Sequence, residues 1–157
     1  MKNGQKGITL IALVITIIVL LILAAVTIAS LSGDNGIVDR GNEAKVASNI
    51  NNAKDLIKVA VQEGTSYFYN VKYAGASDSL SQNTLGAFLN YFLTSKTTGK
   101  DVATGPVRDI IVSSSVQNGN DTESAIYTIK TNVLGLNNQP LEVIINAKGT
   151  ITGWTND

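Results

Sequence analysis

Chemistry needs titratable or nucleophilic side chains at workable spacing, and this chain offers few. It has no Cys and no His. Disulfides, thiolate or imidazole metal sites, and histidine-activated nucleophiles are therefore excluded. Oxygen ligands gather in "NGNDTES" (Asn118–Ser124), where Asp121 and Glu123 sit in a polar turn. Their spacing fits no calcium loop, and a solvated turn accounts for them. Asn120-Asp121-Thr122 has the N-glycosylation pattern, a tripeptide common by chance. "GKDVATGP" lacks the Gly-Lys-Ser/Thr ending and the preceding strand of a phosphate loop. Asp109, set among apolar residues, fits the outward face of a strand. No group has a partner whose geometry the sequence fixes, so the expectation is a non-enzyme without metal or cofactor.

The elements that carry these residues begin with "QKGITLIALVITIIVLLILAAVTI" (Gln5–Ile28). From Ile8 to Leu31 there is no charge, no Pro and no Gly. As a helix this run would span about 36 Å, against about 30 Å of bilayer hydrocarbon. A cleavable secretory signal has a shorter apolar core, of about 7–15 residues. Many of these residues are β-branched and helix-poor in water, but in lipid the backbone must satisfy its own hydrogen bonds. Thr9, Thr16 and Thr27 can return their hydroxyls to carbonyls one turn back. Lys2 and Lys6 precede the run and hold the N-terminus in the cytoplasm. With those two set aside, ten basic side chains face twelve acidic ones, and no basic face suggests nucleic acid.

The combination of a short leader, Lys6-Gly7, Thr9-Leu10 and an uninterrupted apolar helix resembles the N-terminus of type IV pilins and pseudopilins. The resemblance covers about the first 30 residues. It implies a leader, Met1–Gly7, removed by a membrane-embedded prepilin peptidase that cuts after Gly7. Ile8 then becomes the N-methylated first residue, and Ile8, Thr9, Leu10, Ala12 and Thr16 belong to the assembly stem. Two positions depart from the family pattern. The mature chain begins with Ile8 where Phe is usual, and Ala12 stands where the fifth mature residue is usually Glu. That carboxylate is thought to meet a neighbour's terminal amine, and a buried ion pair contributes register more surely than stability. Some minor pseudopilins also lack it. A plain signal anchor is the simpler alternative, although it has no need of the Gly7-Ile8-Thr9-Leu10 junction.

Beyond the membrane, Gly33 and Gly36 bracket Asp34-Asn35, a combination that favours a turn or hinge. A second helix is expected from Ile37 or Val38 to Glu63, with Val46, Ile50, Ala53, Ile57 and Ala60 on one seam and Gly64 ending it. "SYFYNVKYAG" reads as a short extended segment or loop whose aromatics pack on the stem. "SQNTLGAFLNYFLTSK" reads as a short helix capped by Ser81, with Leu85, Phe88, Leu89, Phe92 and Leu93 inward. "TTGKDVATGP" is a loop. "VRDIIVSSSV", "SAIYTIKTNVL" and "LEVIINAKGTITGW" are β-branched runs parted by turn sequences. Gly149 marks a turn before a short last strand, where Trp154 acts as a packing anchor.

The expected fold is α+β: a long N-terminal helix, membrane-spanning and broken near Gly33–Gly36, with an antiparallel sheet of three to four strands packed on its outer half. The expected divisions are a leader (1–7), a transmembrane and assembly helix (8–32), and a pilin-like domain (33–157) that includes the helix 37–63. The resemblance implies a structural subunit of a type IV pilus-like filament, waiting in the cytoplasmic membrane among lipid and then exposed at the cell surface. Its partners would be copies of itself, the peptidase, and a pilus or secretion assembly platform, with no nucleic acid. The alternatives are a minor pseudopilin of a type II secretion or DNA-uptake machine, and a tethered ectodomain that never polymerises.

Overall fold

In the computed structural model, residues 4–33, 36–73, 80–95 and 102–157 are described, with side chains from residue 9 onward. The architecture is α+β. Helix α1 runs Gly4–Ser32 and α2 runs Ile37–Tyr73. They are followed by α3 (Leu85–Thr94), α4 (Pro106–Ile110), and strands β1 (Ile111–Gln117), β2 (Ile126–Leu134), β3 (Pro140–Asn146) and β4 (Ile151–Thr155). Two units result, Met1–Lys45 and Val46–Asp157.

In the first unit, helix stops after Ser32 and resumes at Ile37. The Gly33 N–H closes on the Ala29 carbonyl at 3.0 Å, and the Gly36 N–H on the Gly33 carbonyl at 2.5 Å. A Cβ at Gly36 would fall 2.5 Å from the Leu31 oxygen, so this close approach requires glycine. Asp34 and Asn35, expected in the turn, lie outside the described residues, as do Met1–Asn3 of the expected leader.

In the second unit the four strands form one antiparallel meander in the order β1-β2-β3-β4. One face of the sheet is covered. Tyr127, Ile129 and Thr131 of β2 and Leu141, Val143 and Ile145 of β3 are buried, while Lys130 between them is exposed. Among the described residues Thr131 is the polar one that is buried, and its hydroxyl donates to the Leu141 carbonyl at 2.9 Å. α2 contributes Ile57, Ala60 and Phe68 to the main core, and α3 contributes Phe88, Leu89 and Phe92. A smaller cluster joins Ile50 and Ala53 of α2 to Leu141, with Trp154 against it. Lys54 lies 5.6 Å from the Trp154 ring and 2.5 Å from the Asp157 carboxylate.

Four local expectations are corrected. α2 does not end at Glu63–Gly64 but continues to Tyr73. Gly64 is buried there because α3 crosses it: a Cβ would meet Leu89 Cδ2 at 2.8 Å and Phe92 Cδ1 at 3.0 Å. "SYFYNVKY" is therefore helical, with Phe68 and Val71 inward and Tyr69 and Tyr73 exposed. The cap of α3 is Thr84, not Ser81, with its hydroxyl accepting the Ala87 N–H at 3.2 Å. Val107–Ile110 form a helical turn behind Pro106, whose fixed φ suits a first helical position, so Asp109 lies on α4 rather than on a strand. Gly149 does occupy a turn, with φ +79°. Residues 97–101 of the expected loop, and Lys96 before it, lie outside the described set.

Candidate functional site

The apolar run of α1 is the segment whose composition demands a special environment. Every described side chain from Thr9 to Ser32 is exposed within the chain, including Leu10 at 64% and Leu21 at 65%. Such a surface in water is an interaction or membrane surface. It is the one helix, among the described residues, long and apolar enough to cross a membrane.

Its polar groups are arranged for an apolar surrounding. Thr16 Oγ1 donates to the Leu13 carbonyl at 2.7 Å. Thr27 Oγ1 reaches the Leu23 and Ala24 carbonyls at 3.0 and 2.9 Å, and Ser30 Oγ reaches Val26 at 2.9 Å. Each hydroxyl proton is thus satisfied inside the helix, which removes the penalty for placing it in lipid or in a bundle of helices. The oxygen lone pairs stay available as acceptors.

Gly7 and Ile8 lie within α1, and the side chain of Ile8 is outside the described set. Thr9, Leu10, Ala12 and Thr16 are exposed on the same helix. Ile8, Ala12 and Thr16 follow at four-residue spacing and so share one face. Position 12 is one turn from residue 8 and carries only a methyl group. Thr16, two turns along, supplies an oxygen on that face. Gly33 and Gly36 are not part of this group; they form the break at the far end of α1.

The polar turn in the second unit does more than the solvated turn expected from the sequence. Asp121 is not fully solvated; it is half-buried beside the residues that precede α3. The Asn83 N–H donates to both carboxylate oxygens at 2.9 Å, and the Thr84 N–H donates to Oδ1 at 2.6 Å. The Asp121 N–H in turn donates to the hydroxyl of fully buried Tyr127 at 3.0 Å. Burial pushes the Asp121 carboxyl up, but the bonds from Asn83 and Thr84 outweigh it and hold the group below its usual range. Asn83 and Thr84 are 38 and 37 positions away. No local pattern around Asp121 signals this contact. Among the described residues no three Asp or Glu side chains gather as a metal site.

The aromatic cluster divides in two. Tyr67 stacks on Phe88 at 6.0 Å and Phe68 packs on the same ring at 5.5 Å, both as core contacts. Tyr69 and Tyr73 stack on each other at 5.7 Å on the surface. The groove of about 510 Å³ beside them is walled by Lys72, Glu123 and Lys148. Comparison with protein-family models, characterised proteins and solved structures finds no match for this chain.

Proposed function

We propose that the chain is a structural subunit of a type IV pilus-like filament. The observation that carries this reading is the uncharged run Ile8–Leu31 placed directly after Lys6-Gly7. Across its apolar run helix α1 exposes hydrophobic side chains all round, and the hydroxyls of Thr16, Thr27 and Ser30 are satisfied internally. Such a helix is at ease in lipid and equally at ease among copies of itself. Transfer between the two exchanges lipid contacts for protein contacts, so packing quality decides assembly. The glycine break and the sheet carried by α2 agree with a pilin-like layout. After the cut at Gly7, Ile8 would be the methylated end of the stem, and the outer domains would form the filament surface.

Ala12 favours a second reading, a minor pseudopilin, because the usual carboxylate for a neighbour's amine is missing. In both readings the leader is cut inside the cell and the domain lies outside. Replacing Gly7 by Val tests this. The variant should remain full-length in the membrane fraction and disappear from sheared surface material. Surface fibres from uncut Gly7→Val chain would remove the basis for the reading.

A further inference from the structure

The second unit carries an apolar groove that none of the described residues fills. It has a volume of about 450 Å³ and lies between α2 and the α4–β2 side, walled by Val46, Ala53 and Leu56 opposite Ile110, Val133 and Leu134. Leu134 is 47% exposed and Val46, Leu56 and Val133 are half-buried. The polar residues at its rim are Asn49, Asn52 and Asn132, and the lining has no charge.

Three features define the occupant. The α2 wall repeats at positions 46, 49, 53 and 56, the heptad spacing by which one helix receives another. The absence of charge gives a free acidic or basic partner nothing to steer by. The groove is also small. A stable complex between free proteins buries about 1,200–2,000 Å² in total, well beyond what this one depression offers. Only a partner already held alongside, at high effective concentration, would occupy it. Copies of this chain anchored by the same stem meet that condition. Ile37 and Val38, in the first turn of α2, are 70% and 54% exposed. They are uncharged helical knobs just beyond the membrane-spanning run.

We infer that this groove receives the Ile37–Val38 turn of a neighbouring copy, a head-to-tail contact between subunits. The inference rests on the filament reading and adds a named surface to it. A contact in which groove and knob are different patches is heterologous, and it propagates as a filament when its rotation does not close into a ring.

The chain has no cysteine, so engineered thiols report cleanly. Full-length Ile37→Cys carrying an epitope tag is co-expressed in the native host with untagged Asn52→Cys and mildly oxidised. Each copy holds one thiol, so every disulfide joins two copies. Both positions are exposed, which leaves the core intact. The expected result is a tagged–untagged dimer from this pair, at least several-fold more abundant than from Ile37→Cys with Val59→Cys. Val59 is 62% exposed on α2 but outside the groove. A copy carrying both Ile37→Cys and Asn52→Cys should give a ladder rather than a closed dimer. Leu134→Lys, which puts a charge in the groove, should reduce the cross-link several-fold with membrane level unchanged. Filaments without the Ile37–Asn52 cross-link, or with equal cross-linking at Val59, overturn the contact and leave the filament reading standing. The groove cross-link without any filaments overturns the filament reading and leaves the contact. Neither filaments nor cross-link overturns both.

Discussion

Replacing Asp121 by Ala removes the carboxylate that binds the Asn83 and Thr84 N–H groups at the start of α3. A side-chain acceptor at a helix N-terminus contributes about 0.5–2 kcal/mol. A negative charge beside the positive end of the helix dipole adds about 0.3–1 kcal/mol. Asp121 is half-exposed, and water will replace part of what is lost, so the expected destabilisation is about 0.5–2 kcal/mol at neutral pH. The folded carboxyl titrates below its ordinary range, so its contribution is present above the unfolded value, about pH 4. That contribution is lost as pH falls through the lower, folded value. Urea unfolding of the full chain in detergent, followed through its single tryptophan, Trp154, reads the second unit directly. Wild type and Asp121→Ala should differ near pH 7 and converge in strong acid. Equal stability at pH 7, or a gap that persists undiminished at the lowest pH, would refute the capping role. Stabilisation of wild type alone by added calcium would show that the carboxylate binds a cation instead.

Two other substitutions follow from packing and from the stem. Gly64→Val puts three carbons where Leu89 and Phe92 already lie within about 3 Å of a would-be Cβ, so overpacking should cost about 1–3 kcal/mol in the same unfolding assay. Unchanged stability would mean that α3 can retreat from α2. Ala12→Glu places a carboxylate one turn from Ile8 on the face shared with Thr16; if the stems assemble by apolar packing alone, filament yield in sheared material should fall. A rise in yield would show that the amine of Ile8 lacked a partner in the wild type.

Much of the fold is legible because hydrophobic period reports burial. The α3 residues Leu85, Phe88, Leu89, Phe92 and Leu93 are all buried, and the turn at Gly149 separates β3 from β4. The end of α2 was hidden by Gly64, since an isolated glycine after a helical stretch is an ordinary terminator. Its role here depends on Leu89 and Phe92, which are distant in sequence. A local signal did exist: Ile57, Val61, Gly64, Phe68 and Val71 continue the helical period and are all buried. Ser81 and Thr84 are both of a residue type that caps helices, and the Asp121 carboxylate that accepts the Thr84 N–H comes from a distant turn. The long apolar helix is legible from composition alone, because twenty-four uncharged residues have few environments open to them. The groove at Val46–Leu56 was not legible, because its far wall comes from α4 and β2.

The central claim is that Gly7 marks a cut and Ile8–Leu31 is a working stem rather than a passive anchor. Intact-mass and N-terminal sequencing of this chain, recovered from sheared surface fibres, tests it most directly. The account predicts a chain that begins at Ile8 and carries one methyl group on its amine. Surface-exposed protein that still begins at Met1 would contradict it.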